Sequence, residues 1–256
     1  PPRSTPLYSS AASDVYKRQD YFGGRETGTK GQKIAVDFLR DYYIRQNIPP
    51  AMGTELYFQK MKLRINGISV DTENVVAILE GTQFPEEYVF VSAHLDHIGT
   101  HNGKINNGAD DDGSGTVAIM EIAEAFKLAS KNGIGPKRSL VFLHVSGEEK
   151  GLLGSKYYVE NPLYSISQTV ANLNIDMIGR LDPKRTDKDP NYIYLIGSDK
   201  LSQELHDISE ATNEKYTKLK LDYTFNDDDD PNRFYYLSLI HISEPTRLLS
   251  ISYAVF

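Results

Sequence analysis

The feature that most constrains this chain is an apolar run that ends in a cluster of imidazole and acid groups. EEYVFVSAHLD (86–96) reads as a strand apolar enough to lie in the middle of a sheet. It leads straight into a glycine-rich loop holding His97, His101 and three consecutive aspartates, Asp110, Asp111 and Asp112. TVAIMEIAEAFKLASKNG (116–133) then has helical spacing and closes at Asn132-Gly133. Strand, polar loop and helix in that order form the unit of an α/β sheet. Open sheets of that kind gather ligands at the carboxyl ends of their strands.

The same alternation runs along the chain. GRETGTKGQKIAVDFLRDYYIRQNI (24–48) places Ile34, Ala35, Phe38, Leu39 and Tyr42 at helical spacing behind Thr27 and Thr29, either of which can open the helix. ELYFQKMKLRI (55–65) alternates like a strand, Asn66-Gly67 marks a turn, and ENVVAILEG (73–81) is the next strand. RSLVFLHVS (138–146), QTVANLNIDMIGR (168–180) and NYIYLIGS (191–198) are further strands, with helices expected over 147–161 and 200–216. The expected fold is a single α/β domain: a mixed, mostly parallel central sheet with helices on both faces. A chain of 256 residues is long enough for one such domain with a substantial core.

Both ends read differently. Residues 1–19 have no apolar period and no clear caps, and residues 237–256 follow abruptly on an acidic loop. Both resemble translated adapter or vector sequence, so they are expected to be non-native tails around a domain of residues 20–236.

Composition narrows the chemistry. A net charge of -7 and an isoelectric point of about 5.4 argue against a nucleic-acid surface. No apolar run approaches the roughly 18 residues of a membrane span. With no cysteine, disulfides and thiolate zinc sites are excluded, and any metal must be held by His, Asp and Glu.

Three strand ends supply those groups. His94 and Asp96 are two apart, so they share a face. A carboxylate beside a metal-binding imidazole fixes its tautomer, so His94 reads as a ligand and Asp96 as its partner. Taken alone, a strand-end histidine with a solvated aspartate would be the commoner arrangement. Asp110, Asp111 and Asp112 precede a helix, where one or two can simply cap it, but three exceed what a cap needs. Glu148 and Glu149 follow the 138–146 strand. Adjacent carboxylates repel unless a cation separates their roles, one ligating and the other free to accept a proton. A solvated acidic turn is the plainer alternative. Asp176 lies towards the end of the 168–180 strand.

HLD, GADDDGSG, SGEEKGLLGS and NIDMIGR, in this order and this strand context, resemble the M28 family of zinc-dependent aminopeptidases over about residues 24–236. The resemblance implies a zinc-peptidase fold (phosphorylase/hydrolase-like) with two Zn2+ ions and a peptide or protein substrate with a free N-terminus. His94 and Asp176 match the ligands of one zinc, Glu149 matches a ligand of the other, and Asp111 matches the carboxylate bridging both. Glu148 matches the general base and Asp96 the carboxylate behind the histidine. The family habit also implies a periplasmic, secreted or surface location.

One departure stands out. The family's last zinc ligand is a histidine in a loop near the end of the domain. Here FNDDDDPNRFYY (225–236) leads into SLIHISEP, whose His241 has no matching context. The domain is therefore expected to be incomplete at its C-terminus. The second zinc would have only Glu149 and Asp111 from the protein, and the chain as written would be inactive. No motif places His97 or His101 on metal. His144, inside a strand, is expected to be packed or hydrogen-bonded, and His206 lies on a polar helix. Asp227–Asp230 reads as a solvated loop, and its spacing does not fit an EF-hand. The rival readings are a carboxypeptidase or glutaminyl cyclase-like enzyme of the same fold, a receptor-like domain that has lost catalysis, and a two-metal phosphoesterase. Intact ligand positions and Glu148 weigh against the receptor-like domain. The GEE and NIDMIGR segments weigh against the phosphoesterase.

Overall fold

Thr29 opens the first long helix, α1 (Lys30–Gln46), in the computed structural model, which describes residues 20–227, 229 and 249–254. The Thr29 side chain accepts from the Gln32 N–H, and Asn47 closes the helix in the left-handed conformation. β1 (Phe58–Ile65) and β2 (Ile68–Leu79) form a hairpin. Its Asn66-Gly67 turn has φ of +50° and +82°, the two positive values that a tight right-twisted hairpin needs. β2 begins five residues before the expected Glu73. Its first residues are largely exposed and carry no apolar period, so the ladder to β1 holds them in place rather than burial.

β3 (Phe84–His94) follows, then a small hairpin of β4 (Thr100–His101) and β5 (Lys104–Ile105), and helix α2 (Gly113–Lys131). Next come β6 (Arg138–Val145), α3 (Leu153–Glu160), β7 (Thr169–Asp176) and β8 (Tyr192–Ile196). The helices α4 (Ser198–Leu201) and α5 (Gln203–Thr212), a π-helical turn at Asn213–Thr217, and the strands β9 (Lys220–Asp222) and β10 (Leu249–Ala254) follow. Among the described residues, eight strands form one sheet in the order β1-β2-β6-β3-β7-β10-β8-β9. β3 pairs in parallel with β6 on one side and β7 on the other, while β2 runs antiparallel to β6.

Side-chain alternation explains why both faces are covered. Val75, Ala77, Val91, Ala93 and Phe142 pack with Leu39 and Tyr43 of α1 and Ile119 and Met120 of α2. Their neighbours Val76, Phe90, Val141, Leu143 and Val145 pack instead with Tyr158 of α3 and with Tyr164. Leu205 of α5 packs on Ala171 and Leu195. The mixed, mostly parallel sheet flanked by helices is the fold expected from the sequence.

Residues 1–19, His241 and most of 237–256 lie outside the described residues. Leu249–Ala254 is described, and it forms β10, parallel to β7 and antiparallel to β8. From the sequence, the whole of 237–256 is expected to lie outside the domain. Sheet pairing uses main-chain groups, so an alternating β-prone segment such as LSISYA can fill a ladder whatever its origin. Among the described residues no helix is long and apolar enough to cross a membrane.

Candidate metal centre

β6, β3 and β7 lie side by side and parallel, so they end on one edge of the sheet. His94 is the last residue of β3 and Asp176 the last of β7. Glu148 and Glu149 follow β6 through Gly147, whose φ of +75° turns the chain sharply. The loop before α2 brings Asp111 onto the same edge. His94 Nε2 is 3.1 Å from Asp111 Oδ1, 3.7 Å from Asp176 Oδ1 and 3.9 Å from Glu148 Oε2.

The other ring nitrogen, His94 Nδ1, lies 3.1 Å from the main-chain oxygen of Asp96 and 3.8 Å from its carboxylate. The sequence spacing predicts that contact for the carboxylate. β3 ends at His94, so the strand alternation meant to carry Asp96 to the same face stops before reaching it. Its carboxylate does other work: Oδ2 accepts the Thr27 hydroxyl at 2.8 Å and Oδ1 accepts the Glu148 N–H at 3.1 Å.

The three consecutive aspartates have three separate environments. Asp112 is fully buried and caps α2, accepting from Gly115 N–H at 2.8 Å and from Met177 N–H at 3.2 Å. Asp110 accepts from Gly179 N–H at 2.7 Å and pairs with Arg180 at 2.8 Å, tying the loop after β7 to the loop before α2. Asp111 is left to face the centre, and it faces two ways. Its Oδ1 is turned to His94, while its Oδ2 lies 3.9 Å from His97 Nδ1. His97 Nδ1 in turn lies 2.7 Å from Glu149 Oε1. Two groups therefore converge: His94 with Asp111 and Asp176, and His97 with Asp111 and Glu149, the donor atoms of each within 4.8 Å of one another. No sequence motif marks His97.

The electrostatics follow from burial and crowding. Burial pushes the His94 imidazolium down, but Asp111, Asp176 and Asp112 outweigh it and the ring's pKa is raised well above the ordinary value. Burial pushes the Glu148 carboxyl up to about 7, opposed by His94 and helped by Asp176, Asp96 and Glu149. Burial and the Asp176 charge hold Asp112 well above the carboxylate range. Burial also raises Asp111, but the hydrogen bond and charge of His94, with the charges of His97 and Arg25, together outweigh that and the net shift is downward.

These donors suit zinc. Imidazole nitrogen and carboxylate oxygen are its ligands when thiolate is absent. Asp176 Oδ1, His97 Nδ1 and Glu149 Oε1 are buried and have no hydrogen-bond partner among the described residues. Buried polar atoms are rarely left so; a cation in the first group would satisfy Asp176, and one in the second would satisfy His97 and Glu149.

The loop also depends on residues the sequence argument did not single out. Arg25 is buried and donates to Leu95 O at 2.8 Å, Asn107 O at 2.6 Å and Gly108 O at 2.9 Å. An arginine in a GGRETG turn reads as solvated, and nothing local marks it as buried. A cavity of about 510 Å³ opens beside Asp111 and His97, with Arg180 at its edge. The other histidines stay apart. His101 Nε2 is near Ile98 O at 2.8 Å, His144 lies in the core, and His206 contacts Ser198 at 2.8 Å.

A sheet edge of this kind, lined by histidines and carboxylates, defines the class of α/β metallohydrolases. Residues 74–240 match the model of Peptidase family M28, and the chain belongs to that family. A "Probable zinc metalloprotease" of Pyrenophora tritici-repentis is 30% identical over 182 residues, which are 66% of this chain and 36% of that protein. A "Probable glutamate carboxypeptidase" of Arabidopsis thaliana is 37% identical over 105 residues, 41% of this chain and 14% of that protein. The chain thus spans about a third of one relative's length and a seventh of the other's. The crystal structure of a Zn-dependent exopeptidase from Parabacteroides distasonis shares the fold, with a TM-score of 0.68 at 19% identity over 96% of this chain and 83% of that one.

Proposed function

We propose that this chain carries the centre of a two-zinc exopeptidase, an aminopeptidase that removes the first residue of a peptide with a free N-terminus. The observation that supports it is the Asp111 carboxylate, with one oxygen turned to each of two histidine–carboxylate groups and Glu148 beside them. His94, Asp111 and Asp176 would hold one zinc, and Asp111 with Glu149 would reach the other. When bound, zinc polarises the scissile carbonyl and brings the pKa of water towards neutrality.

Glu148 accepts the proton of the attacking water on its carboxylate. The water oxygen bonds to the carbonyl carbon, the C–N bond breaks, and Glu148 returns the proton to the leaving amine. A carboxyl raised to about 7 by burial can hold a proton long enough to give it back. Asp96 fixes the main chain under Glu148. The acidic side chains around the cavity favour a substrate's α-ammonium group.

Arg180, largely exposed at the cavity edge, supports a second reading as a carboxypeptidase, because a guanidinium there could meet a C-terminal carboxylate. Three forms of one peptide separate the readings. An aminopeptidase cuts the free and C-amidated forms and spares the N-acetylated one, whereas a carboxypeptidase cuts the acetylated form and spares the amidated one. Release of ammonia from an N-terminal glutamine without cleavage would identify a cyclase, and no reaction with any substrate from protein that holds two zinc ions would refute all three.

A further inference from the structure

We propose that His97, through Nδ1, is a protein ligand of the second metal position, alongside Asp111 and Glu149. The proposal rests on the two-zinc reading above and adds a third protein donor to Asp111 and Glu149.

The geometry of His97 and Glu149 carries it. Nδ1 and Oε1 approach to 2.7 Å, yet both are buried and neither is in hydrogen-bonding alignment with any partner among the described residues. A simple histidine–glutamate ion pair at that separation would align the N–H with the oxygen. Two lone pairs aimed at a shared point look different: the atoms are close and the hydrogen-bond angle is poor. Donor atoms about 2 Å from one zinc sit about 3.3 Å apart at tetrahedral angles. The 2.7 Å to Glu149 and the 3.9 Å from Nδ1 to Asp111 Oδ2 lie on either side of that value.

The ring is also held in place. The His97 main-chain N–H donates to Arg25 O at 3.3 Å, and Gly108 lies so close to the ring that an added Cβ would come within 2.5 Å of it. Gly108, at φ +55°, is therefore needed for space as well as for conformation. Arg25 fixes Gly108 in turn through its carbonyl. A residue held from both sides is prepared for a ligand role. The two metal positions would then have equivalent donor sets, one imidazole nitrogen and two carboxylates each, with Asp111 common to both.

The test uses the wild-type chain with 15N-labelled histidines, titrated with zinc and followed by long-range 1H–15N spectra. Nε2 of His94 should move to the metal-bound position as one zinc equivalent binds, and Nδ1 of His97 as the other does. Chelator competition on His97→Ala should show one site retained and the other weakened by more than about 100-fold, beyond the 10–100-fold cost of losing a partner behind a ligand. If wild type binds two zinc ions while His97 Nδ1 stays unshifted, or His97→Ala binds both with unchanged affinity, the assignment of His97 is overturned and the two-zinc reading stands. If wild type binds fewer than two, the two-zinc reading falls and this inference with it. The wild-type spectra decide the matter even if the variant fails to fold.

Discussion

The Glu148 main chain is anchored on Asp96: its N–H donates to Asp96 Oδ1 at 3.1 Å, across 52 residues of sequence. The other Asp96 oxygen takes the Thr27 hydroxyl, so one buried carboxylate joins the turn after β6 to the segment before α1. Asp96→Ala leaves two interior donors unpaired and frees the base from the strand that carries His94. Zinc affinity should fall by about 10–100-fold, as it does when partners behind metal ligands are removed. Competition against a chelator measures it, and an unchanged affinity would show that Asp96 has no part in holding the centre.

Glu148→Gln keeps the size of the side chain and removes its ability to accept a proton. The variant should keep its zinc and lose about 10²–10⁴ in turnover. The base must be ionised to act, so kcat/KM should rise with pH along an acid limb. Burial sets the metal-free carboxyl at about 7, and nearby cations favour the ionised form, so the zinc-loaded limb should lie below 7. Turnover by Glu148→Gln close to wild type would remove Glu148 from the role of base.

Much of the fold was legible because burial imposes periods. Val75 to Ala77 and Leu140 to Val145 alternate between two covered faces, and the helical spacing of α1 survives in its buried residues. Asn66-Gly67 gave its turn because few residue pairs tolerate two positive φ angles. His94, Glu148, Glu149 and Asp176 were legible for a different reason: each lies at or just after a strand end, and parallel neighbours end together. Only the resemblance to the M28 motif singled out Asp111 from Asp110 and Asp112. The contacts of Asp96, and the places of Arg25 and His97, were not legible. Their environments depend on loops from distant parts of the chain, and no local period records that Arg25 reaches Asn107 or that His97 faces Glu149.

Arg25 is a buried cation whose three donated bonds go to main-chain carbonyls of Leu95, Asn107 and Gly108. Burial pulls its pKa down, and Asp112, Asp96 and Asp111 oppose that pull. Arg25→Met keeps the aliphatic stem and deletes the donors to Leu95 O, Asn107 O and Gly108 O, of which Gly108 O still accepts the Gly113 N–H at 3.0 Å. Bonds to charged groups are worth about 1.5–3 kcal/mol each and do not add fully, so a loss of about 3–5 kcal/mol is expected. Urea denaturation with and without zinc measures it. A loss below about 1 kcal/mol would mean that the loop holds itself.

His144 gives the fold a dependence on pH that is separate from the metal centre. It lies in the core with Nε2 at 2.7 Å from the Tyr43 hydroxyl, and its Nδ1 has no hydrogen-bond partner among the described residues. Burial lowers its pKa from 6.5 to about 3, whereas the unfolded chain takes up the proton near 6.5. Between those values the unfolded state binds more protons, so stability is complete above about 6.5 and declines as pH falls towards 3. Each pH unit in that window costs about 1.4 kcal/mol, which makes about 3 kcal/mol between pH 7 and pH 4. His144→Phe should be less stable at pH 7, because Tyr43 loses its partner, yet should lose less on acidification. The acidic groups at the sheet edge titrate in both proteins, so the difference between the two denaturation series isolates His144. Equal slopes would mean that the ring is protonated at an ordinary pH and that the core opens to admit the charge.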